Sequence, residues 1–346
     1  MNSRACYHRA VDRFPIGLNT YCLRAFRWPD LKLLDYAASL KLDAVFLQDS
    51  VDPGTNDPAH WREVKDHAAR LGLHLETGTG GSLPRSPDRF DASVKLLRDA
   101  VKRAAAMGSP VVRTLVASDR DHLPPGPPAQ HVEAMIRLLR AVRSEAMDAG
   151  VKFAIENHKD LLCWETRQLI EGAGKEFVGS YLDTGNPVFV FEDPVETVET
   201  LGPLAVTFHL RDSVVYEARG GIAVQWVPLG EGVVDFRKIV ARARELCPNV
   251  YVYIKPITGR PPVVRPYLEP EFMTTFADLK ASTLARFIAL AKQGHPYEAE
   301  MVIEDVTGRP TPEPYAAALQ YQQKDHMERS IAYAKKELDL GLHWRD

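Results

Sequence analysis

Short apolar runs rich in β-branched residues alternate along the chain with longer stretches of helical period. Residues 16–22, 42–48, 73–77, 110–116, 151–157, 177–183, 205–210 and 250–255 read as strands. Residues from about 30, then 58–71, 87–107, 129–149 and 236–246, read as helices, with Asp30 a candidate N-cap before LKLLDYAASL. Gly72, Gly108 and Gly150 each stand between a helix and the following strand, where a left-handed residue closes a helix. The alternation predicts a parallel sheet with crossover helices. Eight βα units in about 290 residues fit an α/β architecture of the closed (β/α)8 TIM-barrel type better than an open sheet.

Two additions interrupt the repeat. Residues 213–234 are longer than a βα loop and hold short β-like runs around Arg219-Gly-Gly, which predicts a strand-seven hairpin insertion over the barrel mouth. After Pro256 come a Pro-rich excursion, a helix near 281–292 and a last helix near 311–338. No separate core shows in this tail. Residues 1–346 are therefore expected to form a single domain, with the barrel at about 14–295 and a helical C-terminal extension at about 296–346, serving as a cap or a subunit interface.

Composition narrows the function classes. Lys plus Arg number 43 against 46 Asp plus Glu, which leaves no broad basic face for nucleic acid. No apolar run reaches the about 18 residues of a membrane span. Cys6, Cys22, Cys163 and Cys247 are scattered with no CxxC pair, and the N-terminus lacks an apolar signal core, so a reducing cytoplasm is expected. No GxGxxG follows the first strand and no GxxxxGK[ST] occurs, so no nucleotide cradle is expected. Gly78-Thr-Gly-Gly81 reads as a mobile loop.

A (β/α)8 barrel carries its site at the C-terminal ends of the strands. Strand five ends FAIENHKD with Glu156, strand six GSYLDTGNP with Asp183, and strand seven VTFHLRD with His209, at spacings of 27 and 26 residues. Taken singly, each is an ordinary loop contact or helix cap. Register across three consecutive units is harder to obtain by accident. Two carboxylates and an imidazole converging there suit Mn, Mg, Co or Zn. Arg211 shares the face of His209 under period-two alternation and would hold an anionic or hydroxylated substrate group, with Asp212 as its alternative local partner. Glu231 is expected to shape the strand-seven excursion, and His74 starts strand three at the structural end of the barrel. Trp164 and Trp226 lie near the expected mouth, where loop packing competes with sugar stacking.

The segments IENHKD, YLDTGNP, FHLRD and VPLGEGVVDF resemble those of the xylose isomerase-like TIM barrels, or sugar phosphate isomerase/epimerase family, over roughly residues 16–255. The resemblance implies a divalent metal held by Glu, Asp, His and Glu from strands five to eight. It also implies that the two glutamates move a proton through a metal-stabilised enediolate. Glu156, Asp183 and His209 match the first three ligands, while His158, Glu76, Arg211 and Asn186 become expected catalytic or substrate-binding residues. The fourth position departs: strand eight reads NVYVYIKPITGRPP, with Lys255 where the glutamate is expected. Beside the plain reading, a strand-end lysine with a solvated amine, three arrangements follow. The metal is held by three residues, or Lys255 occupies the metal position and pairs with Glu156 and Asp183, or Lys255 is itself an acid/base or Schiff-base lysine. Glu304, in MVIEDVTGRP, is a candidate to return from the extension.

The implied chemistry is that of an isomerase, epimerase or lyase acting on a sugar or oxo-sugar next to a carbonyl. One alternative is the large subunit of a C-glycoside-deglycosidase-like complex, eliminating an aglycone from a 3-oxo-glycoside. Another is a catalytically silent, sugar-binding or regulatory barrel with Lys255 neutralising the acidic pocket. The expected partner is a small carbohydrate, with a homo-oligomer or a small partner subunit, and neither nucleic acid nor membrane.

Overall fold

The structure, a computed structural model, describes residues 13–48, 57–299, 301–306 and 308–345; Cys6 lies outside them. In chain order the barrel units are β1 (Ile16–Asn19), α1 (Asp30–Ser39), β2 (Ala44–Leu47), α2 (Pro58–Leu71), β3 (His74–Gly81), α3 (Phe90–Met107), β4 (Val111–Leu115), α4 (Pro128–Arg140), α5 (Arg143–Asp148), β5 (Lys152–Glu156), α6 (Cys163–Ala173), β6 (Val178–Asp183), α7 (Pro194–Leu201) and β7 (Ala205–Leu210). They continue through β8 (Asp212–Ala218), β9 (Gly221–Val227), α8 (Phe236–Leu246) and β10 (Val252–Ile254). Then come β11 (Val263–Arg265), α9 (Pro270–Met273), α10 (Ala281–Gln293) and α11 (Glu313–Lys336). Eight parallel strands close in the order β1-β10-β7-β6-β5-β4-β3-β2, the expected (β/α)8 barrel.

The strands are buried on both faces, as a barrel wrapped in helices requires. Outward residues such as Leu75, Ile155, Leu182, Phe208 and Ile254 join the core under the helices. Inward residues Ala44, Phe46, Val111, Ala154, Tyr181 and Tyr253 fill the lumen. Gly72, Gly108 and Gly150 take the predicted left-handed φ of 69°, 74° and 66°. Among the described residues, no helix is long and apolar enough to cross a membrane.

Some local expectations change. Asp30 does not cap α1; Pro29 does, and the Asp30 carboxylate instead meets His60 Nε2 at 2.9 Å. The helix read over 129–149 is broken into α4 and α5, which places Val142 in the core. Residues 78–81 are not a loop but the end of β3, whose register against β4 shifts between Gly78 and Gly81.

The expected hairpin is β8 and β9, extended to a three-stranded antiparallel sheet by β11. Asp212 does not pair with Arg211. Its carboxylate collects the amides of Ser213, Gly230, Gly232 and Val234 and so fixes the loop after β9. Glu231 on that loop accepts from Tyr297 and pairs with Arg329 of α11. The extension reaches both ends of the barrel. His343 and the Leu342 amide bond to Asp43 at its base, while Asp305 pairs with Arg24 and Val306 lines the hollow at the mouth.

Candidate active site

Period-two alternation turns Arg113 inward from the middle of β4, and Glu156, Asp183, Arg211 and Lys255 inward at the C-terminal ends of β5, β6, β7 and β10. Lys255 is the first residue after β10, and its amide still bonds to Leu210 O, so the strand holds its direction. Its Nζ donates to Glu156 Oε1 at 2.9 Å and to Asp183 Oδ2 at 3.2 Å. Arg113 donates to Glu156 Oε2 at 2.5 Å and to Thr79 O at 2.9 Å. Arg211 lies 3.3 Å from Asp183 Oδ2 and lays its guanidinium 4.3 Å from the centre of the Trp226 ring. Each arginine needs a neighbouring backbone without a side chain. A Cβ on Gly78 would sit 2.8 Å from Arg113, and one on Gly185 would sit 2.6 Å from Arg211.

The carboxylates are fully engaged. Asp183 Oδ1 accepts from the amides of Gly185 and Asn186. Asn157 ties the ends of β5 and β6 through its Oδ1 and Nδ2 to the Asp183 backbone, both at 2.8 Å. Asn186 is wholly buried. Its amide donates to Glu156 Oε1 and Asn157 O, and its oxygen accepts from Arg211. It therefore braces the network and does not line the cavity. Burial alone would raise the Glu156 carboxyl, but Arg113 and then Lys255 outweigh it and hold it well below the usual range. Burial and then Arg211 lower the Lys255 ammonium, with Glu156 and Asp183 opposing them.

A cavity of about 470 Å³ opens above this floor, lined by Gln48, Arg113, His158, Arg211, Trp226 and Lys255 among others. No Asp or Glu contributes to its described lining. His158 stands at the rim, where Nδ1 donates to Ser118 O at 2.8 Å and leaves Nε2 as an acceptor. Burial pushes its pKa well below the usual histidine range, so the ring is neutral.

Other expected residues fall elsewhere. His209 is buried one layer down, stacked 3.8 Å from Tyr181 and 4.9 Å from Tyr253, with Nε2 3.3 Å from Thr207 Oγ1. Glu76 lies near the start of β3, 3.5 Å from His74, not at the rim, because β3 runs to Gly81. Glu304 pairs with Arg309 beside a second hollow and does not return to the site. Trp164 is exposed on α6, whereas Trp226 reaches the cavity. Sequence reasoning passed over Arg113; its signal was an arginine inside the apolar run VVRTLV, one strand from glycines that make room for it.

The expected divalent ion, Mn, Mg, Co or Zn on Glu156, Asp183 and His209, does not fit this arrangement. The Lys255 ammonium lies between the two carboxylates, with Arg113 and Arg211 behind them, giving three cations against two anions. His209 is held in a ring stack below, and burial followed by Lys255 keeps it neutral. Among the described residues, no group of three or more His, Cys, Asp or Glu is disposed to hold a metal.

Comparison with known proteins places this geometry. Residues 34–252 match the family described as xylose isomerase-like TIM barrel. The uncharacterized protein YihM of Escherichia coli K12 is 24% identical over 247 residues, 69% of this chain and 71% of its own. The 3-oxo-isoapionate decarboxylase of Pectobacterium atrosepticum is 24% identical over 236 residues, 64% of this chain and 78% of its own. Crystalline D-psicose 3-epimerase superposes with a TM-score of 0.62 at 15% identity, covering 93% of this chain and 98% of that one. A xylose isomerase-like TIM barrel protein from Mycobacterium smegmatis, solved with magnesium, gives 0.54 at 18% identity, covering 70% and 89%.

Proposed function

The chain belongs to the xylose isomerase-like TIM-barrel family, and within it we propose a carbon–carbon lyase that decarboxylates a 3-oxo sugar acid at a lysine-centred, metal-independent site. The carrying observation is the buried Lys255 ammonium between Glu156 and Asp183, in a cluster with one positive charge in excess. That excess suits a reaction in which negative charge develops on a carbonyl oxygen beside Nζ. In a β-oxo acid, the bond to the carboxylate breaks and CO2 leaves. The bonding electrons pass into an enolate whose oxygen faces Lys255, and the carbon then takes a proton from water at the His158 rim.

Such a step needs no base to start it. Proton abstraction by Glu156 would need a free carboxylate oxygen, and both are occupied. The decarboxylase relative supports the reading. A second reading rests on the free Nε2 of His158, a base of the kind that isomerisation, epimerisation or aglycone elimination requires.

The test measures CO2 release from 3-oxo-isoapionate and related 3-oxo sugar acids by chelator-treated protein. Release should survive metal removal and fall about 100- to 1,000-fold in Lys255→Gln, the scale of losing one oxyanion donor. Release that depends on added Mn, Mg, Co or Zn would overturn it. So would solvent-deuterium uptake into substrate with no CO2, which would favour the His158 reading.

A further inference from the structure

Among the described residues, five Lys and Arg side chains line the cavity: Arg113, Lys159, Arg211, Lys255 and Arg260. Four face carboxylates. Arg113 meets Glu156, Arg211 meets Asp183, Lys255 meets both, and Lys159 meets Asp119 at 3.2 Å. Arg260 differs. Among the described residues no carboxylate lies within ion-pairing distance of it, and its guanidinium reaches the Tyr21 hydroxyl at 3.3 Å. Tyr21 is held in turn by Arg24, whose guanidinium lies 4.8 Å from the centre of its ring. Asp305 is committed to Arg24.

Arg260 is fixed rather than trailing in solvent. It is half-buried, its carbonyl accepts from Gln225 Nε2 at 2.8 Å, and it rises from the segment that follows Lys255. Lys255 forms the floor of the cavity and Arg260 stands above it on the rim. Burial and then the neighbouring Arg24 charge lower its affinity for its proton. A half-buried guanidinium that spends one side-chain hydrogen bond on a phenol, with Arg24 and the Arg24-paired Asp305 nearby, retains most of its donors for an oxyanion. The cavity volume is within the about 300–1,000 Å³ typical of small-molecule sites.

We propose that Arg260, with Tyr21, is an oxyanion subsite at the mouth that selects substrates carrying a second anionic group, a phosphate ester or a second carboxylate, on the end away from Lys255. The proposal rests on the function above only in taking this cavity as the substrate site.

The test is calorimetric titration of the whole chain with D-gluconate, D-glucarate and 6-phospho-D-gluconate, none of which needs turnover. Glucarate or 6-phosphogluconate, each with a second anionic end, should bind about 10- to 100-fold tighter than gluconate, the scale of one charge-assisted pair. Arg260→Met should erase that advantage while leaving gluconate binding in place, and Arg260→Lys should keep part of it. Preference for glucarate over 6-phosphogluconate identifies a second carboxylate, and the reverse identifies a phosphate ester. Equal binding of gluconate, glucarate and 6-phosphogluconate by the unaltered protein would overturn the proposal, as would an advantage of the second anionic end that survives in Arg260→Met. A failure of CO2 release appears in the other assay and leaves this result readable.

Discussion

The barrel lumen has two layers of opposite character. At the strand ends, Arg113, Glu156, Asp183, Arg211 and Lys255 form a closed network of ion pairs. One layer below, His209 stacks between Tyr181 and Tyr253 while Phe46 meets all three rings edge to face, and buried polar atoms such as His209 Nδ1 and Tyr181 OH find no partner. Buried polar atoms without partners cost about 1–3 kcal/mol each, and buried ions cost several unless paired. The upper layer meets most of that cost by mutual pairing, with Arg211 Nε its exception. The lower layer tolerates it to give the ions a rigid base: Tyr181 lies 4.8 Å beneath Lys255 Nζ and 5.9 Å from the Arg113 guanidinium. The difference separates residues held in place by their charges from residues held in place by their shape.

Reversing the central charge should break that contrast most severely. Lys255→Glu changes the cluster by two charge units and sets a carboxylate beside Glu156 and Asp183. Activity should fall about 100- to 1,000-fold, since the oxyanion partner is lost. The variant should also acquire a divalent ion, seen by calorimetry with Mn²⁺ and by metal analysis, and the unaltered chain should bind none in the same assays. Equal Mn²⁺ binding by both would mean that Lys255 does not hold the position a metal would take.

Much of this was legible beforehand, and the reasons differ by residue. The barrel followed from the spacing of apolar runs, because strand and helix periods are local properties. Glu156 and Asp183 were legible because each ends a strand at an equivalent height, and Lys255 because it stands where the family resemblance expects a glutamate. Arg113 was not, because its meaning depends on Glu156 across the lumen and on glycines in β3 that only the folded register brings beside it. Asn186 and His209 show the converse. Their place beside Asp183 or on its neighbouring strand marked them as site residues, but the rotamers that turn Asn186 into a brace and His209 into a ring stack are tertiary facts. Arg260 sits in a Pro-rich segment whose path no periodicity describes.

A smaller effect should come from loosening one ion pair. Arg113→Gln removes the nearest counter-cation of Glu156, which keeps Lys255 and Asn186. Stability should drop by about 3 kcal/mol, the low end for breaking a buried pair. The pH dependence gives the sign. Glu156 is held well below its ordinary 4.5, so its contribution is present above that value and lost as pH falls through the depressed one. In Arg113→Gln the depression shrinks, so the acid loss of stability, which still starts near the ordinary value, should end at a higher pH and be smaller in total, read as melting temperature against pH. An unchanged acid limb would show that Lys255 alone sets the Glu156 ionisation.

The smallest effect belongs to the lower layer. Tyr181→Phe removes a buried hydroxyl that has no partner and keeps the ring beneath Lys255 and Arg113. Deleting an unsatisfied polar atom while conserving shape should leave stability unchanged or raise it by about 1 kcal/mol. Since the ring and not the hydroxyl supports the ammonium, turnover should stay within about twofold, far from the scale of losing a group that touches the transition state. Denaturant titration and steady-state rates check both halves. A large loss of kcat with intact stability would place the Tyr181 hydroxyl among the groups that meet the substrate, and the boundary between the layers would then have to be drawn beneath Tyr181 rather than above it.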